Sequence, residues 1–264
     1  MLDQKDYFKL NNGYLTRSKI RDYEICPRYF KGKHILGTIV DDQKQAFEIG
    51  TGVDTLLAQI ECSKDYVMFE GDRRTKAGKE AWQAIVDSGK VPLAVAAYEE
   101  IMGLSCAVDE TDAYKELKDH EKQKLLQVEM DLGPHFHGLA ALPDYFKIED
   151  RKAILTDLKT AQTVNPRKYY HHCLEYSYFT QFAVETIIIK ALNLADYFEY
   201  RHLVVEKMKN IWNVETFKLG LSDVNKEITR VEGILAKIKN DKEFKKYNPS
   251  FASMKLITDP SLSI

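Results

Sequence analysis

Residues 153–160 read Ala-Ile-Leu-Thr-Asp-Leu-Lys-Thr, an apolar run that closes on an acid and a lysine two positions apart. The run reads as a buried strand, where a carboxylate without a partner is costly. Positions two apart on a strand face one side, so Asp157 and Lys159 are presented together. Upstream, residues 136–148 read as a second strand that contains Pro143-Asp144. A proline there suggests a strand end or bulge, a usual place for a site residue.

The chain has 264 residues, of which 44% are hydrophobic and 30% charged. This is the composition of an ordinary globular protein and argues against disorder. We expect a single domain over 1–264, with a mainly helical part at 1–122, a sheet and helix at 123–217, and a closing helix and tail at 218–264. No apolar run reaches the roughly 18 residues of a transmembrane helix. The N-terminus, Met-Leu-Asp-Gln-Lys-Asp-Tyr, carries charges where a signal peptide needs an apolar stretch, so a cytoplasmic location and no membrane partner are expected. Cys26, Cys62, Cys106 and Cys173 are widely spaced, with no Cys-x-x-Cys and no cysteine after Cys173. That spacing speaks against disulfide or zinc frameworks and against an iron–sulfur cluster. The net charge of -2 excludes a protein that coats nucleic acid electrostatically. Any such binding must use a local basic surface.

Apolar spacing and capping residues predict a helix within 16–33, capped by Thr16 or Ser18 and followed by a turn near Cys26-Pro27, then helices over 46–60, 76–86, 93–108 (with Pro92 near its first turn) and 111–120. The character changes near residue 123. Strands are predicted at 125–130, 136–148 and 153–158, with a turn at Glu149-Asp150-Arg151, then one long helix from 167 to 193. Strands at 198–207 and 211–216 and an outer amphipathic helix at 218–239, packed on the sheet, complete the chain. The order gives an α/β fold with a mixed central sheet flanked by helices.

A carboxylate and an ammonium on one strand face suit phosphodiester hydrolysis, which needs an activated water and stabilised negative charge. Asp157 would bind magnesium, the main-chain carbonyl of Leu158 could add a ligand, and Asp144 on the adjacent strand would complete a carboxylate pair. Lys159 would orient or deprotonate water, or neutralise phosphate. Arg167 and Lys168, at the start of the long helix, could meet phosphates with help from the helix N-terminus. His171 and His172 point about 100° apart on a helix and would not share one ion. His135 and His137 share a strand face but lack a third ligand for zinc. No Gly-x-x-x-x-Gly-Lys-Ser/Thr or Gly-x-Gly-x-x-Gly motif is present, which leaves a nucleotide-binding metabolic enzyme without support.

These residues, with Tyr178-Phe-Thr-Gln181 following, resemble the PD-(D/E)XK nuclease superfamily, and within it the RecE (exonuclease VIII) type of phage exonuclease, related to the RecB nuclease domain and lambda exonuclease. Pro143-Asp144 matches the PD element, Asp157-Leu158-Lys159 the (D/E)XK element, and Tyr178-x-x-Gln181 the helical motif of the RecB-like branch. Upstream, 18–30, 47–57 and 74–82 are similar to the family's opening helices, so the likeness covers 16–207. It implies a restriction-endonuclease-like core. It also implies that Asp54 occupies the position of a metal-binding histidine, where an aspartate is a harder magnesium ligand. Glu129 stands where the family has a glutamate at the edge of the site. Gln181 would bind DNA backbone or orient Lys159. Thr160, Arg167, Lys168 and Tyr178 would lie along the DNA, Tyr178 in packing rather than chemistry.

The resemblance implies a Mg2+-dependent deoxyribonuclease, with Mn2+ as a substitute. It would degrade one strand of linear duplex DNA from a 5′ end and leave a 3′ tail for a RecT-like annealing protein. A ring-like homo-oligomer and a bacterial or phage-infected cytoplasm go with that picture. Two alternatives stay open: a structure-specific or single-strand RecB-like nuclease, and a catalytically silent DNA-binding module of the same fold.

Overall fold

The strand that carries Asp157 and Lys159 is the middle one of a five-stranded mixed sheet in the computed structural model. The structure describes residues 13–39, 52, 53, 57, 66–207 and 211–244. In chain order the elements are β1 (Tyr14–Leu15), α1 (Arg17–Ile25), α2 (Pro27–Phe30), β2 (Tyr66–Phe69), α3 (Lys76–Asp87), β3 (Val91–Ala94), α4 (Val95–Asp109) and α5 (Asp112–Lys115). Then come β4 (Glu121–Lys122), β5 (Leu126–Glu129), β6 (Gly138–Ala141), β7 (Tyr145–Glu149), β8 (Lys152–Ala161), α6 (Pro166–Glu175), α7 (Tyr178–Ala191), β9 (Tyr197–Glu206), β10 (Val214–Lys218) and α8 (Leu221–Asn240). The expected helix at 46–60 lies almost wholly outside the described residues.

The large sheet runs β10-β9-β8-β7-β4, and a smaller one runs β1-β6-β5. β7 and β8 form a hairpin over Asp150-Arg151, both at positive φ, as a two-residue turn requires. Arg151 is held there by Asn193 and Asp196. β8 and β9 run parallel from Lys152↔Tyr197 to Ala161↔Glu206, joined through α6 and α7. Parallel strands need such a crossover, and both of their faces are then covered. Leu158, Leu203 and Val205 pack with Ile101, Leu104 and Val108 of α4 on one face. Ala153, Leu155, Tyr200 and Val204 join the larger core with α7 and α8 on the other.

Four expectations need correction. The predicted strand 136–148 is two strands in two different sheets, β6 and β7, parted at Leu142-Pro143-Asp144. Pro143 has no N–H to continue a ladder, so the chain changes sheets there. The predicted helix 167–193 is α6 and α7, separated by Ser177 in the left-handed region at φ 53°. The Tyr176 carbonyl left over at the break accepts from Arg17 Nη2 at 2.6 Å. Pro92 lies in β3 rather than at a helix start, on a two-stranded ribbon where a missing donor is tolerated. The last helix, α8, packs across α7 more than on the sheet.

Candidate active site

α7 is apolar nearly all round, and it packs against β5, β6, α1 and α8. A helix so buried has little room for polar groups, yet Gln181 and Glu185, one turn apart, both face β8. The register between β7 and β8, extended by one residue beyond Tyr145↔Thr156, sets Asp144 across from Asp157. Asp144, Asp157, Lys159, Gln181 and Glu185 line one cleft of about 260 Å³, walled by Ala140, Ala141 and Leu142 of the β6 end and by Thr16, Arg17 and Ser18 at the start of α1.

Asp157 is 2% exposed. Its Oδ1 accepts from Gln181 Nε2 at 2.7 Å, and its Oδ2 is ion-paired with Lys159. Burial works against its charge, but the Lys159 ammonium beside it outweighs burial and holds the carboxyl below its ordinary range. Asp144 Oδ2 accepts the Leu158 N–H at 2.9 Å, which ties the start of β7 to the middle of β8. Lys159 Nζ lies 3.4 Å from the Leu158 carbonyl and 5.3 Å from the centre of the Tyr178 ring. Arg17 stands 5.5 Å from the same ring, so two cations share one aromatic face or edge region.

Three residues at this site were not singled out by sequence reasoning. Arg17 lines the cleft, and burial lowers its pKa while Asp157 and Tyr178 oppose that shift. His202 is fully buried on β9 opposite Asp157, its Nε2 3.7 Å from Asp157 Oδ2. Burial pushes its pKa down to about 3, so the ring is neutral. Tyr169 Oη sits 2.9 Å from His202 Nδ1, and the tautomer of the ring sets which of the two donates. Glu185 is 1% exposed, and burial, then Asp157, pushes its pKa up to about 8. Only the strand pairing could have disclosed His202. A lone acid within Phe-Ala-Val-Glu-Thr-Ile-Ile was a visible signal for Glu185.

The remaining expected residues are not gathered into the cleft. Glu129 is exposed on β5, paired with Gly138, and does not line it. Thr160 points to the opposite side of β8 from Lys159. Arg167 and Lys168 are exposed on the first turn of α6, capped by Asn165 Oδ1 accepting from the Lys168 amide at 3.2 Å. Tyr178 is half-buried beneath Lys159. Asp54 lies outside the described residues.

Among the described residues no three acidic, histidine or cysteine side chains stand ready as a complete metal cage. Magnesium does not need one: it is usually held by one or two carboxylates, with water and substrate phosphate completing its shell. The donor set fits such an ion. Asp144, Asp157 and the Leu158 carbonyl offer hard oxygen ligands, and Glu185 brings a buried carboxyl whose Oε2 has no hydrogen-bond partner among the described residues.

Residues 16–250 match the family described as a PDDEXK-like domain of unknown function (DUF3799). A solved structure from Eubacterium rectale, called "Putative exonuclease", aligns with a TM-score of 0.64 at 15% identity, covering 92% of this chain and 88% of that one. An alkaline exonuclease from Laribacter hongkongensis aligns over 96% of this chain and 100% of its own at 12% identity, with a TM-score of 0.38. No curated protein matches the sequence. At these identities the first likeness speaks to fold alone, and the second is too distant to argue from. The family match spans most of the chain and includes both Pro143-Asp144 and Asp157-Leu158-Lys159, which meet across β7 and β8; the chain therefore belongs to this PDDEXK-like family, within the PD-(D/E)XK superfamily.

Proposed function

We propose that the chain is a divalent-metal-dependent nuclease that hydrolyses phosphodiester bonds of DNA, acting as a RecE-like exonuclease on linear duplex ends. The observation that carries this reading is the pairing of Asp157 and Lys159 on the cleft face of β8, directly across from Asp144. A fold needs no buried acid and lysine at the floor of an open cleft, and the chemistry of phosphodiester hydrolysis does.

Asp144, Asp157 and the Leu158 carbonyl would hold magnesium or manganese. When bound, the ion supplies an activated water and neutralises charge on the phosphate. Lys159, charged beside Asp157, would orient the attacking water and present positive charge to the phosphate as negative charge builds. Gln181 fixes the Asp157 carboxylate through Oδ1, and His202 backs it from inside the sheet. Arg17, anchored through the Tyr176 carbonyl, supplies a second cation at the cleft wall for the DNA backbone. Arg167 and Lys168 are exposed and available to phosphates farther along the strand. The finer reading is 5′-to-3′ digestion that leaves 3′ tails for a RecT-like annealing protein, by a homo-oligomer that encloses DNA.

The test is digestion of linear duplex DNA labelled at either the 5′ or the 3′ end, with Mg2+, Mn2+ or EDTA. We expect metal-dependent release of the 5′ label. Release of the 3′ label first would overturn the polarity. Absence of cleavage of linear, circular or single-stranded DNA with either metal would overturn the nuclease reading itself.

A further inference from the structure

We propose that Glu185 is a further ligand for a divalent cation in this cleft, binding through Oε2 beside Asp157. The inference rests on the metal-dependent reading above and adds a residue that neither the (D/E)XK motif nor the Asp144 pair contains.

Glu185 is 1% exposed, and it sits on a helix turn whose neighbours Val184, Ile188 and Ile189 are fully buried. A carboxyl group in such a place is costly unless both of its oxygens are used. Oε1 accepts from Gln181 Nε2 at 3.2 Å, but Oε2 has no partner among the described residues. The group lines the cleft rather than the helix interface. Packing gives no reason for an acid here, since an apolar side chain would fill the same space without the idle oxygen.

The position of Gln181 says what the idle oxygen is for. Its Nε2 donates to Asp157 Oδ1 at 2.7 Å and also to Glu185 Oε1, so one amide spans the two carboxyl groups. Two carboxylates on either side of a small polar group, opening on a cleft that a phosphate can enter, form the oxygen-rich half-shell that magnesium and manganese take with water. Soft metals are disfavoured because, among the described residues, no cysteine or methionine lines the cleft.

The experiment is titration of the full chain with Mn2+ in the absence of DNA, followed by calorimetry, for wild type, Glu185→Gln and Asp157→Asn. Glu185→Gln keeps the shape and the Gln181 contact, and its metal-free melting temperature checks the fold. We expect Glu185→Gln to lose one bound Mn2+ or to bind at least tenfold more weakly. Unchanged stoichiometry and affinity would overturn the role of Glu185 while leaving the nuclease reading intact. Failure of the wild type to bind Mn2+ at all would overturn both. If the variant does not fold, Mn2+-soaked wild-type crystals decide: an anomalous peak in contact with Glu185 Oε2 supports the proposal, and a peak held by Asp144 and Asp157 alone contradicts it.

Discussion

Two clusters of acids and bases are built on β8 and β9, with opposite charge balance. At one end Glu199 of β9 is surrounded by cations: Lys152 of β8 at 2.5 Å, Arg201 at 2.6 Å and Lys218 of β10 at 3.1 Å. Hydrogen bonds, from Lys152 first, hold its pKa down to about 2. The cluster joins three neighbouring strands, and its outer lysine is 68% exposed. Nothing about it asks for a ligand. In the cleft, three carboxyl groups face Lys159 and Arg17, two of them, Asp157 and Glu185, are buried, and Glu185 is pushed up rather than down. The first arrangement is complete in itself, whereas in the second Glu185 Oε2 has no hydrogen-bond partner among the described residues, as the metal-binding proposal requires. The same residue types thus hold strands together in one place and await chemistry in the other, and burial with charge balance separates the two.

The sharpest way to break the comparison is activity. Lys159→Ala is expected to lower DNA cleavage on the order of 10²–10³-fold or more, as loss of a positioned charge at a reacting centre does. Lys152→Ala, in the other cluster, should leave cleavage unchanged. Equal loss in both, traced to unfolding by circular dichroism, would remove the distinction. Next in size is the response to metal. Mn2+ at about a hundred times its dissociation constant should stabilise the wild type by roughly 2.7 kcal/mol. That gain should vanish in Asp157→Asn and survive in Glu199→Gln, as read by thermal melting.

The two clusters should also respond to pH with opposite sign. Glu199 has a folded pKa near 2 against an ordinary 4.5. Its contribution is therefore full above 4.5 and lost as pH falls toward 2, on the order of 1–3 kcal/mol because its lysine partners are partly solvated. Glu185 has a folded pKa of about 8 against 4.5, so the folded state keeps a proton that the unfolded chain gives up. Metal-free stability should therefore fall as pH rises toward 8. Lys19, whose folded pKa is lowered to about 8 by burial, titrates in the same range with the opposite sign, so the Glu185 share is read as the difference between wild type and Glu185→Gln. Glu185→Gln should flatten that slope, and Glu199→Gln should flatten the acid limb instead. The smallest effect concerns the back of the cleft. Tyr169→Phe removes the partner of His202 Nδ1 and should cost about 0.5–1.5 kcal/mol in urea denaturation, while keeping the ring stacked on Phe217.

Much of the cleft could be read from residues alone because β8 is locally unambiguous. An apolar run that ends in Asp-x-Lys puts Asp157 and Lys159 on one face whatever the rest of the chain does. Pro143 suggested a strand end or bulge beside Asp144, although 136–148 still read as one strand where the structure has two. The helix carrying Gln181 was also legible, although its start was not. The break at Ser177 involves no glycine or proline, and depends on Arg17 taking the freed Tyr176 carbonyl from another part of the chain. His202 and Arg17 were hidden for a related reason: their roles come from strand pairing and from helix α1 meeting the sheet, and local periodicity is silent on both. Glu185 was visible as an acid among apolar residues. The resemblance marks it only as an acid where relatives often have an aromatic, and its burial shows once the helix is seen to be covered on nearly every side.

The central claim is that the cleft between β7, β8 and α7 is a metal-dependent phosphodiester-cleaving site. The most direct test is degradation of a long linear duplex by wild type and Lys159→Ala, each with Mg2+ and then with EDTA. The account expects nucleotide release by the wild type with Mg2+ only, and none by the variant although it still binds Mn2+. Release that persists in EDTA, or at wild-type rate in Lys159→Ala, would contradict it.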